Sequence, residues 1–250
     1  MSDYNPFSLN NKKILITGAS SGIGRSTAIE CSKLGAEAII TDIEDKGLSE
    51  TFINLKGPNH IKIQADLTNE KEIENLVSSI PKLDGCANIA GIGNTSPVQF
   101  INKRDLERVY NVNLYAPMYL TKQLIKSKKL NNPSSIVYVA SVSGVFSFTI
   151  GKGIYGSSKA ALNAYMKITA RELAGKGIRC NCVNPGMVNT PFIKLYAYTS
   201  EFGADDMNKY PIKRYGNPEE IALAIIYLLS DASSYITGHS LVVDGGMSIN

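Results

Sequence analysis

Histidine and cysteine are scarce in this 250-residue chain: it has two histidines, His60 and His239, and four cysteines, Cys31, Cys86, Cys180 and Cys182. A closed zinc site takes about four nitrogen or sulfur ligands, and only Cys180 and Cys182 stand close together, with no second pair or nearby histidine to complete one. No metal is therefore expected, and the thiols read as buried small hydrophobes in a reducing, cytoplasmic compartment. Runs of like charge are also lacking. The 26 basic and 22 acidic residues leave +4 spread along the chain, which speaks against a nucleic-acid partner. Long apolar runs are missing as well: Ile221–Leu229 falls far short of the roughly 20 residues that a membrane span needs. Met1–Asn10 is polar, without the apolar segment behind a basic start that marks a secretory signal.

What the chain does have is alternation. Short apolar runs at Lys13–Thr17, Ala38–Thr41, Ile61–Gln64, Gly85–Asn88, Ile136–Ala140, Arg179–Val183 and Ser240–Val243 read as strands. Helical spacing fills Gly24–Leu34, Lys71–Ile80, Leu106–Leu130, Tyr155–Ala174 and Pro218–Leu229. Several strands are continuous β-branched runs, as expected where helices cover both faces of a parallel sheet. Such repeated alternation predicts a doubly wound α/β fold of about seven strands in one domain, residues 1–250. Asn217-Pro218-Glu219-Glu220 offers a helix start, with cap, proline and acids in order. Gly35 stands where a left-handed helix stop would fall. Residues 186–211 show little periodicity, and so long an irregular stretch suggests a substrate lid.

The first strand runs into Gly18-Ala19-Ser20-Ser21-Gly22-Ile23-Gly24, and a helix follows at once. Glycines let the backbone bend sharply and approach a pyrophosphate, while the free N–H groups and positive helix end attract the anion. The spacing G-x-x-x-G-x-G is one residue longer in its first gap than the common dinucleotide fingerprint. The second strand ends at Thr41-Asp42, followed by Ile43. An acid there accepts hydrogen bonds from both hydroxyls of the adenosine ribose and repels a 2′-phosphate, so NAD is expected over NADP. Arg25, close to the turn, could greet a phosphate, which keeps NADP as the lesser alternative.

Tyr155 and Lys159 are four apart at the start of a predicted helix, hence on one face. Ser141 and Ser143 end the Ile136–Ala140 strand, at the sheet edge where ligands of such folds bind. Hydride loss from an alcohol carbon needs a base for the hydroxyl proton, and the reverse reaction needs an acid. A tyrosine titrates near pH ~10, and bringing it to about 7 takes roughly 4 kcal/mol of phenolate stabilisation. The Lys159 ammonium is expected to supply much of that. A serine hydroxyl can hold the substrate oxygen as its charge changes.

In order along the chain stand TGASSGIG (17–24), ADL (65–67), NIAG (88–91), NVN (111–113), VASVSG (139–144), YGSSK (155–159), NPGMVNTP (184–191) and VVDGG (242–246). Together they resemble the short-chain dehydrogenase/reductase family, over nearly the whole chain. The resemblance implies a Rossmann fold and a catalytic tetrad of Asn113, Ser141, Tyr155 and Lys159. In it Tyr155 transfers the proton and Lys159 lowers its pKa and holds the nicotinamide ribose. Ser141 orients the substrate oxygen, with Ser143 as the alternative, and Asn113 keeps a water in the proton relay. It further implies that Gly18, Ser20, Ser21, Gly22, Ile23, Gly24, Asp42 and Ile43 bind the cofactor. Asp66 and Leu67 would flank the adenine, Asn88, Ala90 and Gly91 would line the cofactor, and Pro185, Gly186, Val188 and Thr190 would meet its nicotinamide end. The family also implies a homotetramer, or a homodimer, built on the helices containing Asn113 and Tyr155, with Ala160, Ala161 and Ala164 allowing close packing.

Two departures stand out. Ile89 replaces a residue that is commonly polar, and the step from Ser141 to Tyr155 is 14 residues, one more than usual. The extra residue falls in Val145–Ile154, where Phe146, Phe148 and Ile150 are the expected substrate contacts. The function expected is hydride transfer between NAD(H) and a secondary alcohol or ketone: a sugar, polyol, steroid, hydroxy acid or acyl substrate. The alternatives are an NADPH-dependent 3-oxoacyl-carrier-protein reductase, since the C-terminal half resembles such enzymes and sugar dehydrogenases, and a dinucleotide-binding sensor without turnover.

Overall fold

The computed structural model describes residues 4–196 and 210–249. Seven parallel strands form one sheet: β1 (Lys13–Thr17), β2 (Glu37–Asp42), β3 (Ile61–Gln64), β4 (Leu83–Asn88), β5 (Leu130–Val139), β6 (Ile178–Pro185) and β7 (Ser240–Val243). Their order is β3-β2-β1-β4-β5-β6-β7. The described helices are α1 (Gly22–Lys33), α2 (Asp45–Ile53), α3 (Glu70–Ser79), α4 (Lys103–Tyr110), α5 (Ala116–Lys126), α6 (Gly153–Leu173), α7 (Pro191–Tyr196) and α8 (Pro218–Leu229).

The continuous apolar strands bury both faces, and alternate residues show how. Ile14 and Ile16 of β1 join Ile40, Val137 and Val139 in a core closed by Ala28 and Cys31 of α1 and Ile225 and Ile226 of α8. Leu15 and Ile39 turn the other way, onto Leu76 and Val77 of α3 and Leu120 and Leu124 of α5. Farther along that second face, Ile136 and Tyr138 meet Leu162 and Met166 of α6, with Cys180 and Cys182. Each such fully buried aliphatic side chain contributes about 1.5–3 kcal/mol. All four thiols are buried and reduced.

The expected helix ends are present. Gly35 takes φ +88, and Asn217 and Glu220 form a reciprocal capping box on either side of Pro218. Arg214 grips the Glu220 carboxylate with two bonds of 2.7 and 2.6 Å, and that pairing holds its pKa down to about 2. The expected helix Leu106–Leu130 is not one helix. It is α4, a five-residue π turn Asn111–Tyr115 and α5, and Leu130 already belongs to β5, paired with Leu83. A wider turn keeps the apolar stripe almost in phase, so periodicity alone does not reveal it. Helix α2 is an addition to the expected elements; Glu44 caps it by accepting the N–H groups of Lys46 and Gly47. Of the suspected lid, residues 197–209 lie outside the described residues.

Candidate active site

Parallel strands bring all their carboxyl ends to one edge, and the strand order reverses between β1 and β4. Ligands of doubly wound sheets bind at that crevice. A cleft of about 1320 Å³ opens there, larger than the roughly 300–1,000 Å³ of most single-ligand pockets. It has room for a dinucleotide and a second molecule.

The glycine turn forms one wall. Gly18 has φ +68, and a Cβ on it would stand 2.8 Å from the Ala90 backbone. The β1 and β4 ends are tied there by Thr17, whose Oγ1 accepts the N–H groups of Ile89 (2.9 Å) and Ala90 (3.1 Å). Helix α1 has no acid in its first turn, so its positive end faces the cleft uncompensated. Bare backbone, a helix N-terminus and a cradle that any Cβ would fill are the features that a pyrophosphate needs.

Asp42 closes the end of β2. Its Oδ2 accepts the Ser20 N–H at 3.0 Å and its Oδ1 accepts the Glu44 N–H at 3.0 Å. Each carboxylate oxygen keeps a further lone pair for a hydroxyl donor. Arg25 is engaged elsewhere. Its Nη2 donates to the Ser20 carbonyl (2.5 Å) and pairs with Glu50 (3.0 Å), and its Nε donates to Thr51 (3.0 Å).

Tyr155, in the first turn of α6, lies half-buried on the cleft wall, which Ser141 just beyond β5 also lines. Its ring also meets Phe192 of α7, with centroids 6.1 Å apart. One turn on, Lys159 is buried and donates from Nζ to the Val139 carbonyl at 2.8 Å. Removal from water pushes its pKa down to about 8. Gly91 permits this convergence: a Cβ there would stand 3.1 Å from Lys159 Nζ and 3.3 Å from Asn113 Oδ1. Asn113 sits in the π turn and clamps the main chain of Ile92, accepting its N–H at 2.8 Å and donating to its carbonyl at 2.9 Å. Its amide also reaches Ser158 Oγ at 3.1 Å.

Every cofactor residue expected from the sequence lines the cleft except Asn88. Asn88 is buried, its amide on Cys86 Sγ at 3.6 Å. Asn113 is likewise fully buried and meets the site only through Ile92, Gly91 and Ser158. Ser143 lines the cleft with Ser141, but its N–H donates to Ser141 Oγ at 3.1 Å, so it supports that hydroxyl. The expected acidification of Tyr155 is not found in the protein alone. Burial raises its pKa, opposed by the Ser141 hydrogen bond, and Lys159 spends its ammonium on a carbonyl. Phe146, Phe148 and Ile150 do not line the cleft; they are exposed, and Ser147, Thr149 and Lys152 face it instead. Thr17, Ser158 and Lys152 are site residues that sequence reasoning misses. For Lys152 a signal exists, a cation three residues before Tyr155.

A phenol, a serine and an ammonium beside a nucleotide cradle define a dinucleotide-dependent oxidoreductase. A family model described as enoyl-(acyl carrier protein) reductase matches residues 18–248. A 3-oxoacyl-[acyl-carrier-protein] reductase of Thermotoga maritima is 34% identical over 96% of this chain and 99% of its own. A 2-keto-3-deoxy-L-fuconate dehydrogenase of Xanthomonas campestris is 31% identical over 96% of this chain and 81% of its own. The structure of a short-chain type dehydrogenase/reductase from Mycobacterium marinum superposes with a TM-score of 0.87 at 27% identity, over 98% of each chain. The chain belongs to the short-chain dehydrogenase/reductase family, and its activity is hydride transfer between a nicotinamide dinucleotide and a secondary alcohol or ketone.

Proposed function

We propose that the enzyme uses NAD(H), with Tyr155 as the proton carrier of the reaction. The observation that carries this reading is the convergence of Tyr155, Ser141 and, one helical turn on, Lys159 on the same cleft that the glycine turn opens. When bound, the dinucleotide accepts or donates the hydride, and its oxidised form adds positive charge near the phenol. Gly18–Gly24 and the start of α1 would hold the pyrophosphate, Asp42 and Ile43 the adenosine ribose, and Asp66 and Leu67 the adenine. Pro185, Gly186, Val188 and Thr190 would meet the carboxamide end, with Lys159 on the adjoining ribose. In oxidation, the Tyr155 oxygen takes the substrate hydroxyl proton, while Ser141 Oγ donates to the same substrate oxygen. In reduction the proton returns. Asn113, buried behind the site, would serve the relay through the Ile92 main chain that it clamps. Following the nicotinamide absorbance band over a panel of secondary alcohols and ketones tests the reading directly.

The NAD preference rests on charge. Asp42 presents a carboxylate where a 2′-phosphate would stand, and Arg25 is committed to Ser20 and Glu50. Asp42→Ala is expected to narrow the NAD-over-NADP ratio of kcat/KM by about ten- to hundredfold, the worth of a charge-assisted hydrogen bond. An unchanged ratio overturns the ribose assignment. The second reading, an NADPH-linked 3-oxoacyl-carrier-protein reductase, draws support from the name of the Thermotoga relative, but the same carboxylate opposes it. A binder without turnover would have no use for the Tyr155–Ser141 pair.

Free-enzyme titration shows in kcat/KM. With Lys159 at about 8 and Tyr155 above its ordinary value, both are protonated below pH 8. Tyr155 keeps its proton past pH ~10, so a fall in ketone reduction near pH 8 reports Lys159 losing the charge that would hold the nicotinamide ribose: kcat/KM is expected to hold level below about pH 8 and to decline above it through Lys159. A profile that stays level to pH ~10 sinks this assignment.

Assembly as a homotetramer in the cytoplasm completes the proposal. It is supported by the exposed Tyr115, Tyr119 and Ile168 on the helices that carry Asn113 and Tyr155, and by four buried, reduced thiols.

A further inference from the structure

Lys152 is the residue that caps the start of α6, three positions before Tyr155. It is half-buried and faces the same cleft. Two bonds fix it there: its Nζ donates to Thr95 Oγ1 at 2.6 Å, and the neighbouring Gly151 carbonyl accepts the Ser96 N–H at 2.8 Å. The 94–97 loop thus braces the lysine from one side, and Thr149, whose carbonyl accepts the Lys152 N–H at 3.2 Å, lines the cleft from the other.

Among the described residues, no carboxylate lies within ion-pair distance of Lys152, and burial lowers its pKa. Two of the other cations on the cleft wall have such partners on their own helix α4: Lys103 with Glu107 at 3.6 Å and Arg108 with Asp105 at 3.5 Å. A partly desolvated charge without a counter-ion is costly unless a ligand supplies one. Position narrows what that ligand is. Lys152 stands just before α6 and Tyr155 in its first turn, and both line the cleft, so an anion held by Lys152 sits a few bonds from a carbinol held by Tyr155. One ammonium flanked by hydroxyls suits a singly charged group better than a phosphate dianion.

We infer that the substrate is a short hydroxy or oxo acid whose carboxylate is bound by Lys152, with Thr95 holding the lysine in place. The inference rests on the proposed role of Tyr155. It specifies the substrate class: a carboxylate within about two or three carbons of the carbon that exchanges hydride. The sugar-acid name of the Xanthomonas relative is compatible with it.

The test compares 2-hydroxybutanoate, 3-hydroxybutanoate and 4-hydroxypentanoate with their primary amides, using the full-length enzyme and NAD. At least one acid is expected to exceed its amide in kcat/KM by ten- to hundredfold, the worth of a hydrogen bond to a charged group. Lys152→Gln should abolish that preference mainly through KM, and Lys152→Arg should keep most of it. Equal use of acid and amide, or a preference that survives in Lys152→Gln, overturns the inference. So does turnover of neutral secondary alcohols with no acid accepted. If no alcohol of either kind is oxidised, the proposed activity itself has failed. Lys152 is then judged by binding: thermal-shift titration of NAD-loaded protein with 3-hydroxybutanoate, where identical responses of wild type and Lys152→Gln overturn the assignment.

Discussion

Tyr155→Phe is expected to lower kcat by roughly a thousandfold in both directions, within the 10²–10⁴ range that a positioned acid or base supplies, and to leave dinucleotide affinity nearly unchanged. The substitution removes one oxygen and little else. The ring keeps its contact with Phe192, and α6 keeps Lys159 on the Val139 carbonyl. What disappears is the phenol oxygen on the cleft wall beside Ser141, the group proposed to move the substrate proton. The protein alone raises the phenol pKa, so the resting enzyme carries the proton and is poised as an acid. Reduction should therefore be the faster direction near neutral pH, and oxidation should gain as pH rises. Fluorescence titration of NADH against the variant, alongside steady-state rates, separates lost chemistry from lost binding. A variant with wild-type kcat removes Tyr155 from the mechanism.

How far the sequence reveals this site depends on whether a feature is written in residue type or in geometry. The glycine turn is readable because only glycine tolerates φ +68 at Gly18 with the Ala90 backbone so close. Asp42 is readable because a parallel strand delivers its last residue to the ligand edge. The Tyr155/Lys159 spacing survives because a helix places such residues on one face. Other features leave no such mark. The parity of Val145–Ile154 is misread from sequence because Ser147 bonds back to Val142 and Gly144, a tight turn that sends Phe146 outward and Ser147 inward. The π turn holding Asn113 breaks no hydrophobic rhythm. The direction of the Tyr155 pKa shift depends on where Lys159 donates its proton, and residue spacing says nothing of that.

Gly24→Ala is expected to weaken dinucleotide binding by at least about a hundredfold, the usual result of misplacing a binding element by an ångström. It should also lower Tm by several degrees. Gly24 is the third residue of α1, and a Cβ on it would lie 1.9 Å from the Gly18 carbonyl oxygen and 2.5 Å from its carbon. Both are backbone atoms of the turn, so no rotamer can yield. The start of α1 must back away from β1, taking its N–H groups from the phosphate cradle and loosening Ala28 and Cys31 from the core. Overpacking of this kind costs about 1–3 kcal/mol, and a chain of this size loses roughly 2–4 °C per kcal/mol. Gly175→Ala is the matched control, because a Cβ there meets nothing within 4 Å, and it should leave both measurements at wild-type values. If Gly24→Ala held NADH as tightly as the control does, the helix start would not be what grips the pyrophosphate, and the cradle would have to be sought elsewhere along the cleft.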